Sequence, residues 1–450
     1  VSDDLPEGWA ERRLGALVQP SKEKSEPDST DRRPYVGLEH IESNTNRIIG
    51  QAKAAEAKST TSVFRRGDVL FSKLRPYLNK VAIAPFDGVG STEIIVFPQL
   101  PHLSNRFLVH FLSRQETVST AQERSAGVQL PRITFERISD LNVPLPPLAE
   151  QRRIVAKVES LLDEVNRAKA RLDRVPVILK RFRQAVLAAA CSGELTPSSD
   201  ADAWKTTQIG SVAGFITSGS RGWAAYYSDA GPLFIRAQNL NSDQLILDDV
   251  AHVTPPKNSE TARTRVQKND VLVTITGANV TKSGLVTDDL GDAYVSQHVG
   301  LIRPLDGRIS RWLYTWLLSP AHGRKQLLDF AYGAGKPGLN LDNLRNVEIS
   351  LPPLDEQAEI VRQVDALFAL ADAIERRVAV ATARAEKLPQ AILAKAFAGE
   401  LVPTEAELAR AEGRDYETAA ALLARVARDA ATAAPAAAPK RRGRPPKSAR

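Results

Sequence analysis

The stretch KLRPYLNK carries Lys73, Arg75, Tyr77 and Lys80 on one turn-rich segment between two apolar runs. Lysine or arginine there can hold phosphates or read guanine edges, and a tyrosine can pack on a sugar–phosphate backbone. The alternative is a solvated hairpin with Tyr77 half-buried. Ser91, Thr92 and Glu93 form a polar loop able to reach bases, or a turn before a strand. In the second half, Thr276, Asn279 and Lys282 occupy the segment matching the first basic loop. SGSRGW places Ser218, Ser220, Arg221 and Trp223 on a glycine-rich loop. Gly219 and Gly222 would let that backbone approach a phosphate; the alternative is a tight loop with Trp223 as a core plug. Gln297 and His298 lie at a strand edge, and His298 reads as a satisfied structural histidine rather than a base reader. Lys336 in GAGKPG is a phosphate candidate.

Covalent chemistry has no matching equipment in the sequence. There is no GxxxxGK[S/T] phosphate loop, no glycine run for S-adenosylmethionine and no Asn/Asp-Pro-Pro-aromatic motif. Six histidines are scattered without metal-ligand spacing, and the single cysteine, Cys191, excludes an internal disulfide and a cysteine-based zinc site. Cys191 reads as a small buried apolar residue.

The elements that carry these loops come in duplicate. Leu145–Pro197 aligns without a gap on Leu351–Pro403, a constant offset of 206. LPPLAEQ meets LPPLDEQ, and SGELTP meets AGELVP. Upstream the echo weakens but keeps its order: RRGDVLF with QKNDVLV, YVGLEHI with FIRAQNL, WAERRLGALV with WKTTQIGSVA. The chain is two copies of one unit, each a variable domain followed by a closely repeated segment. Both variable domains read as mixed α/β. VLFSKLRPYLNKVAIA (69–84) and VLVTITGANVTKSGLV (271–286) predict strand–loop–strand. EIIVFP and HVGLIRP predict strands; RFLVHFLS and RWLYTWLLS predict short amphipathic helices leading into the loops GVQLPRI and GKPGLNL.

The repeated segment predicts a long helix. Ile154, Val158, Leu161, Val165, Ala168, Leu172, Val175, Leu179, Phe182 and Val186 follow a 4-3 spacing, and Ile360 to Ile392 keep the same register. Such a seam predicts coiled-coil packing. Pro146-Pro147 and Pro352-Pro353 precede the helices, Glu150 and Glu356 suit the first-turn dipole, and Gly193 and Gly399 suit left-handed caps. Pro176 and Pro389 each predict a kink. Forty helical residues span about 60 Å, whereas the dozen residues of the linker reach at most about 40 Å. If the two seams pack on each other, the second helix must run back along the first. The expected division is 1–147 first variable domain, 148–192 helix one, 193–203 linker, 204–353 second variable domain, 354–398 helix two, 399–430 an extension with one short helix (407–430), and 431–450 a disordered Ala/Pro linker with a basic tail.

The net charge of +7 is mostly that tail: six cations lie in 440–450, leaving about +1 on residues 1–439. Bulk charge on the body does not announce nucleic-acid binding. No apolar run approaches the ~18 residues of a membrane span, and the start VSDDLPEGWAERRL lacks a basic-then-apolar signal pattern, so the expectation is a cytoplasmic protein; the Ala- and Arg-rich text suits a GC-rich bacterial genome. KRRGRPPK resembles an AT-hook core, in which Arg442 and Arg444 would lie in an A·T minor groove; the alternative is a solubilising tail with unspecific DNA affinity.

Residues 5–403 resemble the specificity subunit of type I restriction–modification enzymes. The resemblance rests on the doubled LPPLxEQ…GEL segment, on GDVLFSKLRPYLNKVAIAPFDGVGSTEIIVF, and on ITSGSRGW, SQHVGLIRP and GAGKPGLNLDNLRNVEISLPPL. It implies two target recognition domains in tandem, an α/β (α+β) fold, each followed by a long helix, with the helices packed as an antiparallel coiled coil of pseudo-two-fold symmetry. Each domain would read half of a bipartite duplex DNA site, the helices setting the unread spacer, for which half-site centres about 34 Å apart are natural. The family is non-catalytic. It recruits two modification subunits, which methylate adenine N6 from S-adenosylmethionine, and restriction subunits that use ATP and Mg; no cofactor is expected on this chain itself. Two other classes fit parts of the pattern. A self-standing DNA-modifying enzyme would turn over S-adenosylmethionine or ATP alone, and a coiled-coil scaffold would bind all duplexes equally.

Overall fold

The computed structural model describes residues 5–57, 59–196, 201–219, 221–256, 258–333 and 337–433. Two compact units emerge, residues 1–171 with 382–450, and residues 172–381. The divisions fall inside the long helical segments and not at 147/148 and 353/354, because each stretch of a long helix belongs with the core it covers.

In the first unit, Val69–Ser72 is buried along its length and forms the middle of a three-stranded antiparallel sheet between Val81–Ile83 and Ile94–Phe97. A strand covered on both faces is written as a continuous apolar run, VLFS, rather than an alternation. A five-stranded sheet runs in the order Lys24–Ser25, Thr61–Phe64, Gly88–Gly90, Pro34–Val36, Ala52–Lys53. The helix Asn105–Leu112, capped by the Ser104 side chain, buries Phe107 and Phe111. Ala10–Arg13 pairs antiparallel with Asn142–Leu145, immediately before the long helix Leu148–Leu172.

The second unit repeats this plan. Val271–Thr274 lies between Ser283–Leu285 and Val299–Pro304, with Ala213–Ser218 added outside. A second sheet has the order Ala251–Val253, Tyr227–Ile235, Ala293–Val295. Ser310–Leu318 is the counterpart of the helix at 105–112, and Lys205–Gln208 clasps Glu348–Leu351 ahead of the 44-residue helix Leu354–Phe397. The predicted strand–loop–strand segments, the strands after them and both short helices are all present.

Three expectations need correction. The helix expected over 148–192 is two helices, Leu148–Leu172 and Val175–Cys191. Pro176 has no N–H and its ring would meet the Leu172 carbonyl, so it opens a new helix in place of kinking an old one. Pro389, by contrast, lies inside the helix Leu354–Phe397. The single helix expected over 407–430 is also two, Glu405–Glu412 and Ala419–Ala433, parted at Gly413, whose φ of 64° makes it a left-handed cap. Finally, 431–433 are helical and so not part of a disordered linker; Arg442 and Arg444 lie outside the described residues.

Helix direction is visible inside each unit. In the second, Arg183 pairs with Asp372 at 2.6 Å and Glu375 at 3.0 Å. Val186, Leu187, Ala190 and Cys191, farther along the same helix, share a core with Ile360 and Val364, nearer the start of the other. Rising numbers meet falling ones, which is antiparallel pairing. In the first unit Arg153, at its helix start, reaches Glu405 at 2.5 Å and the Pro403 carbonyl, just past the other helix's end. Most of the predicted seam is buried or half-buried, but Ala168 and Leu388 are exposed.

Candidate nucleic-acid interface

Each unit presents one face where loop segments meet around a central strand end. In the first unit they are 73–80, 91–93 and 126–132. The Lys73 amide donates to the Glu93 carbonyl at 2.8 Å, and the Arg75 amide to the Pro131 carbonyl at 2.7 Å. The Ile133 amide donates to the Lys73 carbonyl at 2.9 Å. Arg75 at φ 51° and Asn79 at φ 46° are left-handed and turn the short 3-10 segment Pro76–Leu78 outward. Arg75 is exposed with no side-chain partner among the described residues, and Tyr77 is 48% exposed. Both are free to meet a ligand.

The other predicted members are tied into the frame. Lys73 Nζ donates to the Thr92 carbonyl at 2.6 Å, and Lys80 Nζ to the Leu38 carbonyl at 2.6 Å. Ser91 Oγ accepts from the Glu93 amide at 3.2 Å, and Glu93 pairs with Arg132 at 2.9 Å. The two lysines and Glu93 position the loops with their heads engaged, whereas sequence had suggested loose contact groups.

In the second unit the segments are 218–222, 276–282, 296–298 and 337–339. The Gly277 amide donates to the Pro337 carbonyl, the Ile275 amide to the His298 carbonyl, and the Gly219 amide to the Ser296 carbonyl. Arg221, Gln297 and His298 are exposed, and Ser218 and Thr276 half-buried. His298 is therefore exposed and not the satisfied structural histidine expected: among the described residues its Nε2 lies against the Gln297 side-chain amide, at 3.1 Å. Asn279 bonds Asn241, and Lys282 pairs with Asp243 at 2.9 Å, a carboxylate shared with Arg324. Trp223 is a correction as well. It is 3% exposed, stacked on Phe234 with ring centroids 5.7 Å apart, and so belongs to the core. Gly219 is needed by the fold itself, since a Cβ there would lie 2.0 Å from the Val295 carbonyl oxygen. Ser220 and Lys336 lie outside the described residues.

Sequence reasoning missed the clamps that hold these faces on their helices. Glu150 is not merely a first-turn acid. It is fully buried, accepts the Trp9 indole N–H at 2.8 Å and the Glu405 amide at 2.8 Å, and burial pushes its carboxyl above the usual range despite those donors. Trp204 and Glu356 repeat the bond at 3.1 Å. Gln151 and Gln357 each donate to the carbonyl of the first proline of their own PP pair. Asp68 and Asp270 cap the turn entering each central strand, accepting from the amides of Arg65 and Gln267. Burial raises both carboxyls; Asp270 is additionally paired to Arg303 at 2.7 Å. The signal was available: the tryptophan, the helix-start glutamate and glutamine, the proline pair and the turn aspartate are identical in the two copies. The copies differ in one compensated place. Phe397 packs on Phe107 and Phe111, while at the same position Cys191 shares a core with Trp312 and Trp316. A smaller residue is matched by larger neighbours, as close packing requires.

Among the described residues no cluster could hold a metal ion, and no helix is long and apolar enough to cross a membrane. The site is two copies of one loop-bearing frame, each mounted on helices. The pattern of the type I restriction modification DNA specificity domain matches residues 6–175 and 204–380, and the chain belongs to that family, whose catalysis sits on partner subunits. It is 34% identical over 346 residues to the EcoBI specificity subunit of Escherichia coli, covering 72% of this chain and 71% of that one. It is 32% identical to the StySPI specificity subunit of Salmonella potsdam, covering 72% and 71%. Among solved structures, the HsdS subunit from Thermoanaerobacter tengcongensis superposes with a TM-score of 0.64 at 27% identity, covering 88% of this chain and 98% of that one. A chain from a study of type I R-M complex assembly and conformational transition reaches 0.72 at 27% identity, covering 88% and 99%.

Proposed function

We propose that each unit reads one half of a bipartite duplex DNA target through this loop face. Arg75 and Tyr77 would contact DNA from the first unit, Arg221, Gln297 and His298 from the second. The observation that carries this reading is the repetition of one backbone frame in both units, with Arg75 and Arg221 exposed on it and no ion pair to either among the described residues. Lys73, Lys80, Ser91, Thr92, Glu93, Asn279 and Lys282 hold the loops in shape. Ser218 and Thr276 border the faces, and Ser220, Lys336, Arg442 and Arg444 would add contacts from their sequence positions. The chain binds no cofactor of its own. Two modification subunits would bring S-adenosylmethionine for N6-adenine methylation, and restriction subunits ATP and Mg, all in the bacterial cytoplasm. The test is methylome sequencing of the host with and without this gene. Loss of one bipartite N6-methyladenine motif is expected; an unchanged methylome in a host with active partner genes overturns the reading.

A further inference from the structure

The two units share a hairpin whose tip has so far been given no role. In the first, Ala126 and Arg132 exchange backbone hydrogen bonds of 2.9 and 2.8 Å around Gly127, which sits at φ 97°. In the second, Tyr332 and Gly338 exchange bonds of 3.1 and 2.9 Å, with Gly333 at φ 100°. The anchors also match. The Pro131 and Pro337 carbonyls accept from Arg75 and Gly277, and Ile133 and Leu339 donate to the carbonyls of Lys73 and Ile275. Gly127/Gly333 and Pro131/Pro337 are kept while the residues around them change: Val128 and Leu130 in the first copy stand where the second has Ala334 and Lys336.

A frame held by the same backbone bonds in both copies while the sequence between them changes is how a reading element is varied without disturbing its support. The first tip is unusual for a free surface. Val128 is 101% exposed and Leu130 54%, on a hairpin rooted through the fully buried Ile133. The tip adjoins Arg75, whose amide donates to the Pro131 carbonyl, and Arg132, itself fixed by Glu93. An apolar tip among cations suits the one apolar group that a base pair offers in the major groove, the thymine 5-methyl.

We infer that Val128 and Leu130 are specificity-determining residues that contact thymine methyl groups in one half-site. This rests on the proposed DNA reading of the first unit. The test uses the full chain assembled with its modification subunits, and a duplex carrying the motif found in the host methylome. Each thymine is replaced singly by uracil, which lacks only the methyl. Wild type is expected to lose about fourfold in affinity per contacted methyl, at thymines of one half-site only. A Val128→Ser, Leu130→Ser double variant, changed only at exposed positions, should bind the thymine duplex more weakly by a similar factor and become indifferent to uracil. Wild-type indifference to uracil, retained sensitivity in the variant, or a target with no thymine in either half overturns the inference. So does 2-aminopurine fluorescence showing that the tip unstacks a base step as a wedge. Arg75→Ala separates this failure from that of the underlying reading. If it weakens binding while uracil has no effect, only the methyl contact is wrong; if neither variant alters binding, the face itself is misplaced.

Discussion

Replacing Trp9 by Phe isolates the clamp between the first strand and the first long helix. The indole N–H donates to Glu150, a carboxylate with no solvent exposure that also accepts from the Glu405 amide. Phenylalanine keeps most of the ring and removes that donor. Loss of a hydrogen bond to a buried charged group costs about 1.5–3 kcal/mol, on the order of ten- to a hundredfold in an opening equilibrium. The pH dependence gives the diagnosis. Burial already raises the Glu150 carboxyl in the folded state, so the folded protein holds its proton more tightly than the unfolded chain. Stability from this group is therefore lost as pH rises from the unfolded value through the raised folded one. Trp9→Phe removes an influence that lowers that pKa, so it raises it further and deepens the loss at neutral pH. Below the carboxyl range only the smaller ring-packing cost remains. Amide hydrogen exchange, resolved by segment, should show the amides of 148–172 opening faster at pH 7, with the deficit shrinking toward pH 3.5. An equal deficit at both pH values, or none at pH 7, would refute the role given to the Trp9–Glu150 bond.

Arg75→Ala should weaken binding to every duplex and reduce the slope of log affinity against log salt by about one, measured by fluorescence anisotropy over a salt series. Deleting 440–450, with its six cations, should lower affinity and flatten the same slope while leaving the methylated motif unchanged; an altered motif would refute that division of labour. Burial pushes the Cys191 thiol up to about 12, so a thiol reagent at pH 8 should leave the folded chain unmodified and react once it is denatured. Cys191→Phe should cost about 1–3 kcal/mol, seen as a lower melting temperature, because Trp312 and Trp316 already fill that core.

Much of the architecture was legible as pattern. Apolar runs such as VLFS and VLVT, the 4-3 helical spacing and the internal repeat announce strands, helices and duplication, since local periodicity reflects which face is buried. The break at 173–174 and the cap at Gly413 were harder. A proline or glycine says that a helix is disturbed, but neighbouring packing decides between kink, break and continuation, as Pro176 and Pro389 show. The candidate site was legible only as a set of loops. Lys73, Lys80 and Lys282 look like contact groups in a one-dimensional text, yet a lysine head takes whatever acceptor the fold brings near, and here those are the carbonyls of Thr92 and Leu38 and the Asp243 carboxylate.

Composition, spacing and the repeated segments by themselves determined that this chain is two copies of one α/β unit on antiparallel helices, because burial and chain reach are local and additive. Tertiary structure alone decided which polar side chains are committed to the frame and which are left outward. That depends on partners distant in sequence, such as Trp9 with Glu150 and Lys80 with the Leu38 carbonyl, whose meeting no local pattern encodes.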